Sequence, residues 1–227
     1  MKLSIIMPAL NEAAQIEAAL AALQLYRARG VEVIVADGGS QDGTPMLART
    51  LADRVVKAPR GRALQMNAGA AVATGDALLF LHADTQLPDN ADRLVLDGLA
   101  QSRRSWGRFD VRIDGDGLLP MIAVMMNARS RLTSICTGDQ AMFVSRALFD
   151  QASGFPAIAL MEDVQLSATL KRIGRPLCLA AQVTTSGRRW HKHGALRTML
   201  LMWRLRLAFY FGADPAKLAR AYGYAGH

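Results

Sequence analysis

Residues 77–81 (Ala-Leu-Leu-Phe-Leu) form an unbroken apolar run that stops at His82, Ala83 and Asp84. A short run without polar alternation reads as a strand buried on both faces, which requires helices on either side of a sheet. Ligands of open α/β sheets bind beyond the carboxyl ends of the strands. A carboxylate and an imidazole one residue apart at such an end can face a metal or a phosphate. Asp84 is a hard oxygen ligand suited to Mg²⁺ or Mn²⁺. The competing reading is a turn cap, because Thr85 and Pro88 follow.

The upstream sequence repeats the pattern. Residues 2–7 read as a short buried strand, broken by Pro8-Ala9-Leu10-Asn11-Glu12. Residues 13–28 are rich in strong helix formers, and Gly30 ends them. A valine-rich strand follows at 31–36, closed by Asp37-Gly38-Gly39-Ser40-Gln41-Asp42-Gly43-Thr44. Strand, helix and strand with short links predict a parallel, right-handed unit. Asp37 is a second carboxylate at a strand end, and Gly39 lets the backbone approach a ligand. Ser40 and Asp42 are expected to cap a helix at 45–51. A third strand at 54–57 precedes Arg60-Gly61-Arg62, just before another helix. A helix N-terminus with two guanidinium groups favours a diphosphate, and an exposed basic loop is the alternative. Gln65 and Asn67 lie in that helix and can point inward. Neither G-x-G-x-x-G nor a Walker pattern is present.

With 227 residues, 51% of them hydrophobic, the chain can bury a core of one large domain. The net charge of +8 suits an anionic partner. An aromatic content of 6%, with no block of Lys and Arg, argues against nucleic acid, whose single strands need stacking platforms. Cys136 and Cys178 lie far apart, with neither metal nor disulfide spacing, so a reducing, cytoplasmic setting is expected. No cleavable leader and no membrane-spanning run are expected.

Further along, 89–102 reads as a helix and 106–113 as an alternating strand, with Arg108, Asp110 and Arg112 on its solvated side. Residues 117–132 read as an apolar helix and 177–184 as a last strand. His191 or His193 could complete a metal shell. Residues 195–211 are helical and apolar nearly all round, with Arg197 and Arg204 on one face and Arg206 on another. Burial against the domain or a second subunit, giving a homodimer, is the first reading. Contact with a lipid or membrane-held acceptor is the second. Asp214-Pro215 starts a short helix, and the Gly/Tyr-rich tail is expected to fray.

Three segments together resemble family 2 glycosyltransferases of the GT-A fold: residues 4–12, residues 36–44 and Leu81-His82-Ala83-Asp84-Thr85. Gly61-Arg62-Ala63, Gln65-Met66-Asn67 and Ser186-Gly187-Arg188-Arg189-Trp190 are similar to a subgroup of selenium- or arsenosugar-associated transferases. The resemblance implies a nucleotide-diphosphate sugar donor, UDP-linked by preference, a divalent metal (Mn²⁺ or Mg²⁺) and inversion at the anomeric carbon. It implies that Pro8, Ala9, Asn11 and Glu12 hold the nucleoside, with Asp37, Gly39 and Ser40 toward the base. Arg60, Arg62 and Gln65 would sit near base or phosphate. Asp84 matches the second aspartate of the family's Asp-x-Asp, and His82 stands where the first would be, beside Ala83. Gly138, Asp139 and Gln140 would face the donor sugar and acceptor. Glu162 and Asp163 match the family's Glu-Asp pair, with Asp163 the expected base and Glu162 its alternate. Arg188, Arg189 and Trp190 would face the diphosphate, and His193 would join Asp84 and His82 at the metal. The segment is similar to the Gln-x-x-Arg-Trp of processive members but lacks its glutamine, so a single transfer is expected.

The expectation is therefore an α/β GT-A domain over 1–194, mostly parallel with helices on both faces, and a C-terminal helical extension over 195–227. A nucleotidyltransferase acting on sugar phosphates and a non-catalytic basic nucleotide-binding module are the alternatives. The first would need a glycine-rich, basic first loop. The second has no use for Glu162 and Asp163.

Overall fold

The computed structural model describes residues 1–224. In chain order the elements are β1 (Leu3–Ala9), α1 (Ala13–Ala22), α2 (Gln24–Arg27), β2 (Glu32–Asp37), α3 (Thr44–Ala48), β3 (Arg54–Lys57), α4 (Arg62–Val72), β4 (Ala77–Phe80), β5 (Thr85–Gln86) and α5 (Ala91–Gln101). Then come β6 (Trp106–Ile113), α6 (Leu119–Thr133), a 3₁₀ turn (Gly138–Gln140), β7 (Phe143–Ser145), α7 (Arg146–Gln151), α8 (Glu162–Ile173), β8 (Leu177–Thr185), α9 (Arg188–His193), α10 (Ala195–Tyr210) and α11 (Pro215–Tyr222).

The strands form one sheet in the order β3-β2-β1-β4-β7-β6-β8-β5. The β3-β2-β1-β4 half is parallel throughout. Beyond β4 the three-residue β7 runs antiparallel to both neighbours, and β8 returns parallel to β6. Alternate side chains build two cores, as a sheet covered on both faces requires. Ile5, Val33 and Leu79 join Ile16, Leu20 and Val95 on one face. Ile6, Ile34 and Leu78 join Met66, Phe149 and Leu166 on the other. Because β1, β2 and β4 are parallel, their carboxyl ends open on one edge.

Three sequence expectations change. Arg108 is fully buried, and Asp110 bridges it to Arg131, so α6 covers this part of β6, while Arg112 on the same side stays exposed as expected. Gly43, not Asp42, occupies the N-cap position of α3, and the Asp42 carboxylate accepts from two helix starts, the N–H of Thr44 in α3 and that of Ala13 in α1. The α10 helix is not buried all round: Thr198 and Leu205 are buried, while Leu196, Leu200, Trp203 and Leu207 are exposed. Residues 225–227 of the expected extension lie outside the described residues.

Candidate active site

The first two loops are stitched together by reciprocal hydrogen bonds. Asn11, at φ 54°, accepts from the N–H of Gln41 through Oδ1, while its own N–H donates to Ser40 Oγ at 2.9 Å. The N–H of Glu12 donates to Thr44 Oγ1 at 2.8 Å. Gln65 reaches from α4 under both loops and donates to the carbonyls of Ala9 (2.7 Å) and Ala36 (3.0 Å). A Cβ on Gly38 would lie 2.9 Å from that amide, so any side chain there would push Gln65 off these carbonyls. Asn11, Ser40 and Gln65 thus hold the ends of β1 and β2 in register.

These strand ends form the floor of a cleft of about 780 Å³, within the usual range for small-molecule sites. Pro8, Glu12, Gln65, His82, Ala83 and Asp84 line it from the sheet edge. Arg60 and Arg62 enter from the α4 side, and Asp139 from the 3₁₀ turn. Arg188, Arg189, Trp190 and His193 close it from α9. Helix α4 begins after Gly61, which has no capping side chain, so its first-turn N–H groups face this region without a side-chain cap. The N–H of Ser186 donates to the carbonyl of Asp84 at 3.1 Å, tying the α9 approach to the end of β4.

Asp37 departs from expectation. Its carboxylate turns back onto the N–H groups of Gly39 (3.0 Å) and Ser40 (3.1 Å) and is buried, outside the cleft lining. Gly39 adopts φ 91°, which permits that turn. Ala9, Asn11, Gly39 and Ser40 likewise shape the loops and do not line the cleft. Gln140 is fully buried, receiving the N–H of Thr137 and donating to Asn127, so it holds the 3₁₀ turn in place.

Glu162 and Asp163 open α8 and line a small hollow behind the cleft, which His82 shares with both spaces. Gly138 leaves room for that imidazole: a Cβ there would lie 2.4 Å from His82 and displace the ring. Asp163 is fixed by the N–H groups of Gly138 and Val164, each at 2.7 Å. Glu162 is buried, 3.8 Å from the Arg62 guanidinium. Burial, then the neighbouring Asp163 charge, pushes its carboxyl above the ordinary range. Asp139 lies 3.6 Å from His82 Nδ1. Burial raises its pKa, but the imidazole and the Arg62 and Arg206 charges outweigh that and hold the group below its usual range.

The sequence reading missed the tail. Tyr222 and Tyr224 fold into the cleft instead of fraying. Arg62 donates to Tyr224 Oη at 2.7 Å, and the Arg189 guanidinium stacks 3.6 Å from the Tyr222 ring centroid while donating to its carbonyl. Two of the chain's four tyrosines stand one residue apart at the end of an amphipathic helix, and that was the available signal.

The profile of the family described as glycosyl transferase family 2 matches residues 4–149. No curated protein sequence matches the chain. Among solved structures, the mannosyltransferase PcManGT from Pyrobaculum calidifontis, in complex with GDP-Man and Mn²⁺, superposes with a TM-score of 0.68 at 24% identity, covering 98% of this chain and 69% of that one. TarS 1–349 from S. aureus, in complex with UDP-GlcNAc, gives 0.66 at 18% identity, covering 82% of this chain. The match spans only 58% of that TarS chain, under two thirds of its length. Glucosyl-3-phosphoglycerate synthase from Mycobacterium tuberculosis, in complex with Mn²⁺, UDP and phosphoglyceric acid, gives 0.60 at 22% identity, covering 82% and 69%. These likenesses show the GT-A fold. With the family profile spanning well over half its residues, the chain belongs to the family 2 glycosyltransferases.

Proposed function

We propose that this glycosyltransferase moves a single sugar from a nucleoside-diphosphate sugar, UDP-linked by preference, to an acceptor hydroxyl, with inversion at the anomeric carbon. The observation that carries the reading is the convergence of Asp84, Arg60, Arg62, Arg188 and Arg189 with the N-terminus of α4 around one cleft. Such a set complements a diphosphate. Nucleotide sugars or UDP in the complexes of the structural neighbours support the same donor class.

A divalent ion fits this donor set. Among the described residues no three His, Cys, Asp or Glu side chains form a ready metal cage. Mg²⁺ and related ions in nucleotide sites take one or two carboxylates and complete their shell with phosphate oxygens and water. Asp84 would be the carboxylate ligand, with His193 or His82 beside it on the cleft wall. When bound, the ion would neutralise charge on the departing diphosphate.

The remaining roles belong to the chain. Arg62 and Arg189 bind the diphosphate and stabilise its developing charge. Trp190 and Pro8 shape the walls, and the loops held by Asn11, Ser40 and Asp37 position the nucleoside floor. Asp163 accepts the acceptor's proton. Its two backbone donors fix the carboxylate and leave further lone pairs for that hydroxyl. Glu162 is buried instead against the Arg62 guanidinium, 3.8 Å away. A panel of UDP- and GDP-sugars with Mn²⁺ or Mg²⁺, read by nucleoside-diphosphate release and by the anomeric configuration of the product, tests the reading. Inverted product from one donor is expected. Failure of every donor to bind or react would overturn it.

A further inference from the structure

We propose that α6 and α10 form a face that docks on an anionic lipid surface, placing the cleft at the membrane–water boundary. The exposed residues Leu196, Leu200, Trp203, Leu207, Tyr210 and Phe211 recur along α10 at steps of three or four, so they share one side of the helix. Trp203 and Leu207 are 51% and 60% exposed. On α6, Leu118, Met121, Val124, Met125 and Leu132 are also exposed. The two helices meet through one small core, in which Ile122 and Ala123 of α6 pack with Ala195 and Met199 of α10. Soluble surfaces seldom carry so many large apolar side chains together.

Charge selects the occupant. Residues 164–213 contain nine Lys or Arg and no Asp or Glu, and residues 117–138 contain no acidic residue either. Exposed Arg197 and Arg204 flank the apolar row on α10. A second copy of this chain would bring like charges together, whereas anionic head groups complement them. Trp203 and Tyr210 suit a boundary with one apolar and one wet side. One arginine from each helix, Arg129 and Arg206, keeps buried guanidinium N–H groups without a partner among the described residues. Burial, then the charge of Arg206, lowers the pKa of Arg129 to about 10. These two side chains point inward, toward Asp163 and Cys136, and leave the outer face to Arg197 and Arg204.

The contact is peripheral. Among the described residues no helix is long and apolar enough to cross a membrane. The opposite side of α10 contributes Thr198 and Met202 to the cleft wall, so the docked face and the cleft share one helix. An amphiphilic acceptor would then approach from the membrane side; that consequence rests on the transferase reading, but the docking does not.

Vesicle co-sedimentation with the full chain, without donor or metal, tests the docking and is independent of turnover. Wild type is expected to bind phosphatidylglycerol vesicles at least about tenfold more tightly than phosphatidylcholine vesicles, with loss of that preference in high salt. Trp203 fluorescence should shift to the blue on binding. Trp203→Glu with Leu207→Glu should weaken binding about tenfold or more. Arg197→Gln with Arg204→Gln should reduce only the anionic preference, and Met46→Glu, at an exposed position of α3, should change nothing. Absence of binding to anionic vesicles, or wild-type binding by the Trp203/Leu207 variant, would overturn the proposal. So would a wild-type dimer by light scattering that the same variant splits.

Discussion

The Arg62 guanidinium donates to the Tyr224 hydroxyl at 2.7 Å, joining the first residue of α4 to the C-terminal tail inside the cleft. Burial raises the pKa of both tail phenols, that of Tyr222 to about 12, so neither is an anion at neutral pH. A diphosphate is a stronger acceptor for Arg62 and Arg189 than a neutral phenol and a carbonyl. With Arg62 and Arg189 holding the diphosphate, as proposed, the tail would compete with the donor for these two side chains. Tyr222→Ala with Tyr224→Ala should tighten UDP binding about two- to tenfold, the worth of about one net hydrogen bond. Calorimetric titration reads this. Weaker binding by the variant would mean that the tyrosines belong to the donor site.

Asp163 is assigned the proton transfer, so Asp163→Asn should keep UDP affinity within about twofold and lose turnover by about 10²-fold or more. Asn keeps one of the two oxygens that accept from the N–H groups of Gly138 and Val164, so one of these donors loses its acceptor. Steady-state diphosphate release beside equilibrium UDP binding separates the two effects. Asp139→Asn is the informative companion, because Asp139 lines the cleft itself. Retained turnover in Asp163→Asn with loss in Asp139→Asn would transfer the role.

Glu162 has a folded-state pKa above its unfolded value of 4.5, from burial and then the Asp163 charge. Below pH 4.5 the group is protonated in both states. As pH rises toward its folded pKa, the unfolded chain ionises first and stability falls. Glu162→Gln should therefore gain stability relative to wild type as pH is raised from about 4 to 8. Thermal melts across that range provide the check. A constant difference between the two proteins would refute the assignment.

Gln65 joins the carbonyls of Ala9 and Ala36, which are left without that donor when the amide is removed. Gln65→Leu should lower stability by about 1–3 kcal/mol. Urea unfolding gives the value. It should also weaken UDP binding, since both strand ends form the cleft floor. Wild-type stability would place the support elsewhere.

The parallel half of the sheet was legible because each strand is an apolar run ended by polar or turn residues, and three such ends share one edge. The cleft residues Asp84, His82, Arg62 and Arg189 were legible from that rule and from the family resemblance. Asp37 was placed at the right strand end, but its own loop N–H groups capture the carboxylate once Gly39 takes φ 91°. Period-two alternation marked Arg108 and Asp110 as solvated. It carries no information that α6 would cover that part of β6. The three-residue β7 is too short to show a period, so the antiparallel insertion was unreadable. The tail was missed because its binding partners, Arg62 and Arg189, are remote in sequence.

The most direct test of the diphosphate site is calorimetric binding of UDP with Mn²⁺ and with EDTA, to wild type and Asp84→Ala. Wild type should bind at least about tenfold more tightly with Mn²⁺, and Asp84→Ala should show little difference between the two conditions. Equal affinity of wild type in Mn²⁺ and EDTA, or an undiminished Mn²⁺ effect in Asp84→Ala, would contradict a cation-bridged donor at the end of β4.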